Sequence, residues 1–146
     1  MIERPVTHVF LTRLDRGDDL VETLTALART RSIRAAWIQG IGAFDRAVLG
    51  YYDEATAAYL RHDFERFTEA LVVQGNISIK DGEPFVHLHA TLADSDGHAH
   101  GGHVMPGCRV FAMELAISVL GGADPVREPD AKTGLSLWPL PARPNR

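Results

Sequence analysis

Lys80-Asp81-Gly82-Glu83-Pro84-Phe85-Val86-His87-Leu88-His89-Ala90-Thr91-Leu92-Ala93 is the stretch that decides the fold. Asp81-Gly82 between two apolar runs is a hairpin signal, because both residues tolerate positive φ. The returning run alternates strictly. Val86, Leu88, Ala90 and Leu92 fall on one face, and Phe85, His87, His89 and Thr91 on the other. The incoming strand reads from Leu71 to Ile79, with a break at Gly75-Asn76. An antiparallel hairpin with one apolar face and one histidine-bearing face is therefore the centre of the chain.

The flanking sequence supplies neighbours for it. Val6 to Leu14 reads as a strand with Val6, His8, Phe10, Thr12 and Leu14 on one side, and Gly17 ends it. Asp19 and Glu22 have capping-box spacing, so a helix is expected to start there and finish near Thr30. Its stripe of Leu20, Leu24, Leu27 and Ala28 suits packing on a sheet. Ala35 to Gln39 and Phe44 to Tyr52 read as strands separated by Gly40-Ile41-Gly42, and His62 to Phe67 as a polar edge strand. Asp94 to His103 reads as a polar loop. Cys108 to Leu120 reads as a long strand with Phe111, Met113, Leu115, Ile117 and Val119 facing the core. Many strands and one convincing helix define an α+β class: a compact, mostly antiparallel mixed sheet with one main helix packed on it.

The bulk properties agree with a single domain over residues 1–146, with a core at about 5–121 and a Pro-rich tail at 122–146. Within the tail, Leu135 to Leu140 offers a short apolar run for a strand or a packing contact. The lone Cys108 excludes an intrachain disulfide framework. The start, Met1-Ile2-Glu3-Arg4-Pro5, lacks the pattern of a signal peptide, and no run reaches the length of a membrane span, so a cytoplasmic location is expected. A net charge of -4, with 15 Lys and Arg spread along the chain, argues against direct nucleic-acid binding.

Alternate residues of a strand point the same way about 7 Å apart, so His87 and His89 can converge on one ion. Zinc takes neutral imidazole nitrogens and is content with three protein ligands and one open position. His103 is the preferred third ligand, because it abuts Gly101-Gly102, which would let the backbone turn close to the ion, and precedes the apolar Val104-Met105; His98 and His100 read as exposed loop residues. A His-x-His pair taken alone equally describes two polar members of a half-exposed face. Glu114 interrupts an apolar strand and is a candidate fourth ligand, or a partner for a ligand's second nitrogen. Arg13 is a candidate partner for Glu114 or for an anionic ligand, with a surface salt bridge as the plainer reading. Cys108 reads as core, and Gly40-Ile41-Gly42 as a bend and not a phosphate cradle, since no Lys-Ser/Thr pair follows it.

These motifs together resemble the PPC (plant and prokaryote conserved) domain family. The resemblance is carried by Gly40-Ile41-Gly42-Ala43-Phe44 with Leu49-Gly50-Tyr51-Tyr52-Asp53, and by Leu71 to Ser78 with Lys80 to Ala90 and Gly101-Gly102-His103. Arg13-Leu14-Asp15-Arg16-Gly17 and the helix after it match as well. The resemblance implies a homotrimer, and zinc held through His87, His89 and His103. In plant relatives the domain follows AT-hook segments, but this chain has no Arg-Gly-Arg-Pro segment; neither Pro5 nor Pro144-Asn145-Arg146 supplies one. Three functions compete: a homo-oligomeric metal-binding domain whose site is either structural or open to a small anion, a metal-dependent hydrolase or lyase using Glu114, and a regulatory interaction module associated with DNA only indirectly, with Tyr51 and Tyr52 as a contact patch.

Overall fold

The apolar face of the central hairpin needs a cover, and the amphipathic helix supplies it. In the computed structural model, which describes residues 3–139, helix α1 spans Leu20–Thr30 and buries Leu20, Leu24 and Ala28 completely. Asp19 caps it: one carboxylate oxygen accepts from the backbone N–H of Val21 and of Glu22, each at 3.0 Å. The other oxygen accepts from the N–H of Gly107 at 2.6 Å, which ties the helix start to a distant turn.

The sheet strands are β1 (Val6–Leu14), β2 (Ala36–Asp53), β3 (Ala58–Phe64), β4 (Thr68–Lys80), β5 (Glu83–Ala93), β6 (Ala99–Val104) and β7 (Arg109–Leu120). Their order is β1-β7-β2-β4-β5-β6, with β3 beside β2, and every named pair is antiparallel. β2 is long enough to serve twice. Its first half lies between β4 and β7, while Leu49 and Gly50 in its second half pair with Val104 and His103 of β6. The sheet thus curls until β6 returns to β2, and α1 packs with Ile38, Phe44, Val73, Ile77, Leu88, Leu92, Met113 and Ile117 in the core. No helix among the described residues is long and apolar enough to cross a membrane.

Several expectations need correction. β2 runs straight through Gly40-Ile41-Gly42, which form an irregular register and not a break. A Cβ on Gly42 would overlap the Ala112 carbonyl, so glycine there permits close strand approach. The edge strand is Ala58–Phe64 and ends before Phe67, because its register is fixed by the turn after Asp53. The end of the expected polar loop pairs with β5 as β6. Its His and Gly residues carry no apolar alternation, so periodicity gave no sign of it. Phe111 is exposed: it is the extra residue of a bulge between the Ala43↔Ala112 and Phe44↔Val110 pairs, and Val110 takes the inward place.

The tail contributes a two-strand ribbon, β8 (Glu128–Pro129) and β9 (Ser136–Leu137). It is anchored by a bridge between Val126 and Ile79 and by the Tyr52 hydroxyl, which donates to the Thr133 carbonyl at 2.8 Å. Leu140 and Pro144-Asn145-Arg146 lie outside the described residues.

Gly75 of β4 tests the close packing of the hairpin, since a Cβ there would overlap the His87 carbonyl. Gly75→Ala is expected to cost more than about 2 kcal/mol in urea unfolding. Gly101→Ala, where a Cβ would make only ordinary contact, is expected to cost less than about 1 kcal/mol.

Candidate metal centre

With Val86, Leu88, Ala90 and Leu92 committed to the core, the period of β5 sends His87 and His89 to the outer face of the sheet. β6 then brings the third imidazole. His103 sits directly opposite His89 in the β5–β6 register, and opposite Gly50 on its other side. The three rings form a near-equilateral triangle, with centroids 5.2 Å (His87–His89), 5.1 Å (His87–His103) and 5.4 Å (His89–His103) apart. One nitrogen from each lies within 4.8 Å of the others. Gly101-Gly102 were expected to turn the chain near the ion, but both lie in β6 and neither has positive φ. Gly102 instead allows close approach to β2, as a Cβ there would come within 2.9 Å of the Gly50 carbonyl oxygen.

The protonation state of two of the rings suits metal ligation. Burial, reinforced by the neighbouring Arg127 and imidazoles, pushes His87 down to about 4; burial and His89 do the same to His103. Both rings are therefore neutral at pH 7, the form that donates a lone pair to a metal. His103 Nδ1 is buried and, among the described residues, has no hydrogen-bond partner. A buried polar atom left unpaired is costly, and a coordinated ion removes that cost. A donor set of three imidazole nitrogens fits a divalent transition metal with an open position. The site opens into a cavity of about 550 Å3, bounded by Tyr52, Tyr59, Phe85 and the tail residues Gly134 to Leu137.

Arg127 is the residue beside the centre that the sequence did not point to. It comes from the tail, yet it is buried against the centre and donates from Nη2 to His87 Nδ1 at 3.2 Å. In the sequence it is one of several charges in the Pro-rich tail, next to Glu128 between Pro125 and Pro129, and nothing there singles it out. Asn76, read as a turn residue, is one of its acceptors.

The other candidates lie elsewhere. Glu114 is exposed on the outer face of β7, opposite Arg13 and Ile41, so it is not the buried carboxylate the sequence suggested. It lines a separate depression with Leu11, Gln39 and Val72, which shares no residue with the histidine cavity. Arg13 pairs with exposed Asp15 at 3.4 Å. Neither residue is a ligand or a second-layer partner of this centre. His100 bonds Asp94 at 2.9 Å, and Asp94 also accepts from the backbone of Asp96 and His98, so this group closes its own loop. The His100 hydrogen bond in particular holds the Asp94 carboxyl well below the usual range. Cys108 is a buried thiol pushed up to about 11 by burial, with its sulfur donating to the Val48 carbonyl.

The profile of the Plants and Prokaryotes Conserved (PCC) domain matches residues 1–121, and the chain belongs to that family. A metal-containing protein from Archaeoglobus fulgidus is 40% identical, with a TM-score of 0.90, covering 96% of this chain and 99% of its own. A plant- and prokaryote-conserved protein from Pyrococcus horikoshii is 31% identical, with a TM-score of 0.92, covering 98% and 100%. Among curated proteins, the bifunctional protein GlmU of a Synechococcus species is 30% identical over 141 residues; the match takes in 93% of this chain but spans only about one fifth (21%) of that relative.

The depressed histidines make a signed prediction for metal-free protein. In the unfolded chain these imidazoles protonate near 6.5 and in the folded chain near 4, so the unfolded state holds more protons between those values. Stability is expected to fall as pH drops from about 6.5 towards 4, with no further loss from these groups below that. The urea midpoint of wild type should decline between pH 7 and 5, and His87→Gln with His103→Gln should flatten that decline.

Proposed function

We propose that this Plants and Prokaryotes Conserved domain is a homotrimeric metal-binding protein, in which His87, His89 and His103 hold zinc and leave one position to a small ligand. The observation that carries the reading is the buried, unpaired Nδ1 of His103 at one corner of a triangle of imidazoles. The Archaeoglobus fulgidus relative, described as metal-containing, supports the same chemistry here. Zinc bound there would act as a Lewis acid towards whatever occupies its free position. The chain's own contribution is to keep the His87 and His103 imidazoles neutral, to fix the spacing of all three rings by strand register, and to screen the centre with the tail.

The hydrolase or lyase reading is the weaker one. It relied on Glu114 to carry a proton, and Glu114 opens into a different depression. No Asp or Glu among the described residues lines the histidine cavity. An open cavity beside the centre favours ligand access over a sealed structural ion.

The trimer reading is supported by an apolar outer face away from the centre. Leu11, Ile41 and Leu71 are 83%, 58% and 53% exposed on β1, β2 and β4, and Phe67 and Phe111 add to that side. A surface of this kind is a characteristic site of protein association. The proposed trimer remains consistent with the cytoplasmic location expected from the sequence.

Two measurements test these claims. Elemental analysis of protein purified without added metal should find about one zinc per chain, falling below about a tenth of that in His87→Ala/His89→Ala. Substoichiometric zinc that is unchanged in the double variant would sink the centre. Light scattering should give three times the chain mass for wild type, and monomer for Leu11→Glu/Ile41→Glu.

A further inference from the structure

Arg127 lies beyond the family-matched residues, yet it makes the densest set of polar contacts beside the centre. Its Nε donates to Ser78 Oγ at 2.7 Å, Nη1 to the Ser136 carbonyl at 2.9 Å, and Nη2 to Asn76 Oδ1 at 3.0 Å and His87 Nδ1 at 3.2 Å. The rings of Phe85 and Trp138 lie 5.0 and 5.5 Å from its Cζ. Every acceptor is neutral. Lys80 is the other charged residue lining the cavity, so the positive charge there has no carboxylate against it among the described residues. A divalent ion on three neutral imidazoles would add two more positive charges. Buried charge of one sign calls for a counter-ion.

The hydrogen bond to His87 gives this need a direction. A guanidinium only donates, so His87 Nδ1 accepts, and the neutral ring carries its hydrogen on Nε2. A neutral imidazole that binds metal gives one lone pair and keeps a hydrogen on the other nitrogen. If Nδ1 faces the ion, its lone pair is taken; if Nε2 does, Nδ1 carries the hydrogen. In both cases the Arg127–His87 bond would be lost, and an Arg127 N–H would be left without an acceptor beside the three imidazoles.

We propose that Arg127 is the recognition group for a small organic carboxylate that bridges it to the metal position. This rests on the zinc reading above. Metal loading releases the N–H from His87, and a carboxylate accepts it, in the charge-assisted geometry that arginine favours. An organic carboxylate fits better than a bare inorganic anion. The cavity of about 550 Å3 exceeds what phosphate needs, and its walls of Phe85, Leu135, Leu137 and Tyr52 offer apolar surface to a substituent. Because metal and carboxylate share Arg127's contacts, each strengthens the binding of the other.

The test uses the full chain loaded with cobalt(II), whose visible absorption reports the ligands of the ion, titrated at constant ionic strength with butyrate, acetate or inorganic phosphate. Butyrate is expected to shift the spectrum saturably and more tightly than acetate or phosphate. Arg127→Gln should weaken butyrate about tenfold or more, without weakening cobalt uptake, since a competitor for His87 has been removed. Arg127→Lys, which keeps the charge but not the fork, should fall between them and serves if the glutamine variant does not fold. Equal butyrate affinity in wild type and variant, or a preference for phosphate, overturns the proposal while leaving the zinc reading intact. Failure of wild type to take up cobalt at all overturns the zinc reading and this proposal with it.

Discussion

The period of strand β5 is the constraint on which the molecule depends. Four alternate residues, Val86, Leu88, Ala90 and Leu92, are held in the core under α1, and that commitment leaves His87 and His89 no choice of face. A slip of one residue would bury two imidazoles and expose four apolar side chains, so the site and the core stabilise a single register. Gly75 adds a steric condition, because the two strands of the hairpin approach too closely there for any side chain.

The curl of the sheet converts this two-histidine face into a centre. β2 is long enough to pair with β4 at one end and β6 at the other, and closure through β6 sets His103 opposite His89. Three rings about 5 Å apart are held by backbone ladders and not by flexible loop geometry. Rigidity of this kind matters for a metal, since ligand positions fixed before binding need little reordering when the ion arrives. The tail then covers the outer side and brings the Arg127 guanidinium against His87.

The distribution of charge separates two regions of the sheet's outer surface. The histidine face gathers Arg127 and Lys80 around a cavity without acidic residues among those described. Further across the same outer surface, β1, β2 and β4 carry Leu11, Ile41 and Leu71, with Arg13 and Glu114 at the margin. Glu114 thus belongs with the surface proposed for association, and its interruption of an apolar strand reflects a sheet face pointing outward and not a buried charge. The same reasoning accounts for Phe111, which a bulge turns from the core towards solvent.

What the sequence determined by itself was whatever repeats locally: the alternation of β5, the Asp-Gly hairpin, the Asp19 cap with its stripe of leucines, and the pair His87 and His89. Each is governed by contacts within a few residues, where periodicity and turn chemistry are direct readouts of geometry. His103 was legible as a candidate through its glycines, although for the wrong reason, since they allow strand packing and not a turn. Only the tertiary structure decided that Glu114 and Arg13 stand apart from the centre and that Arg127 joins it. Those placements depend on a strand order that puts β2 and β4 between β7 and β5, and on a tail that returns across 40 residues to His87, and neither leaves a periodic trace in the chain.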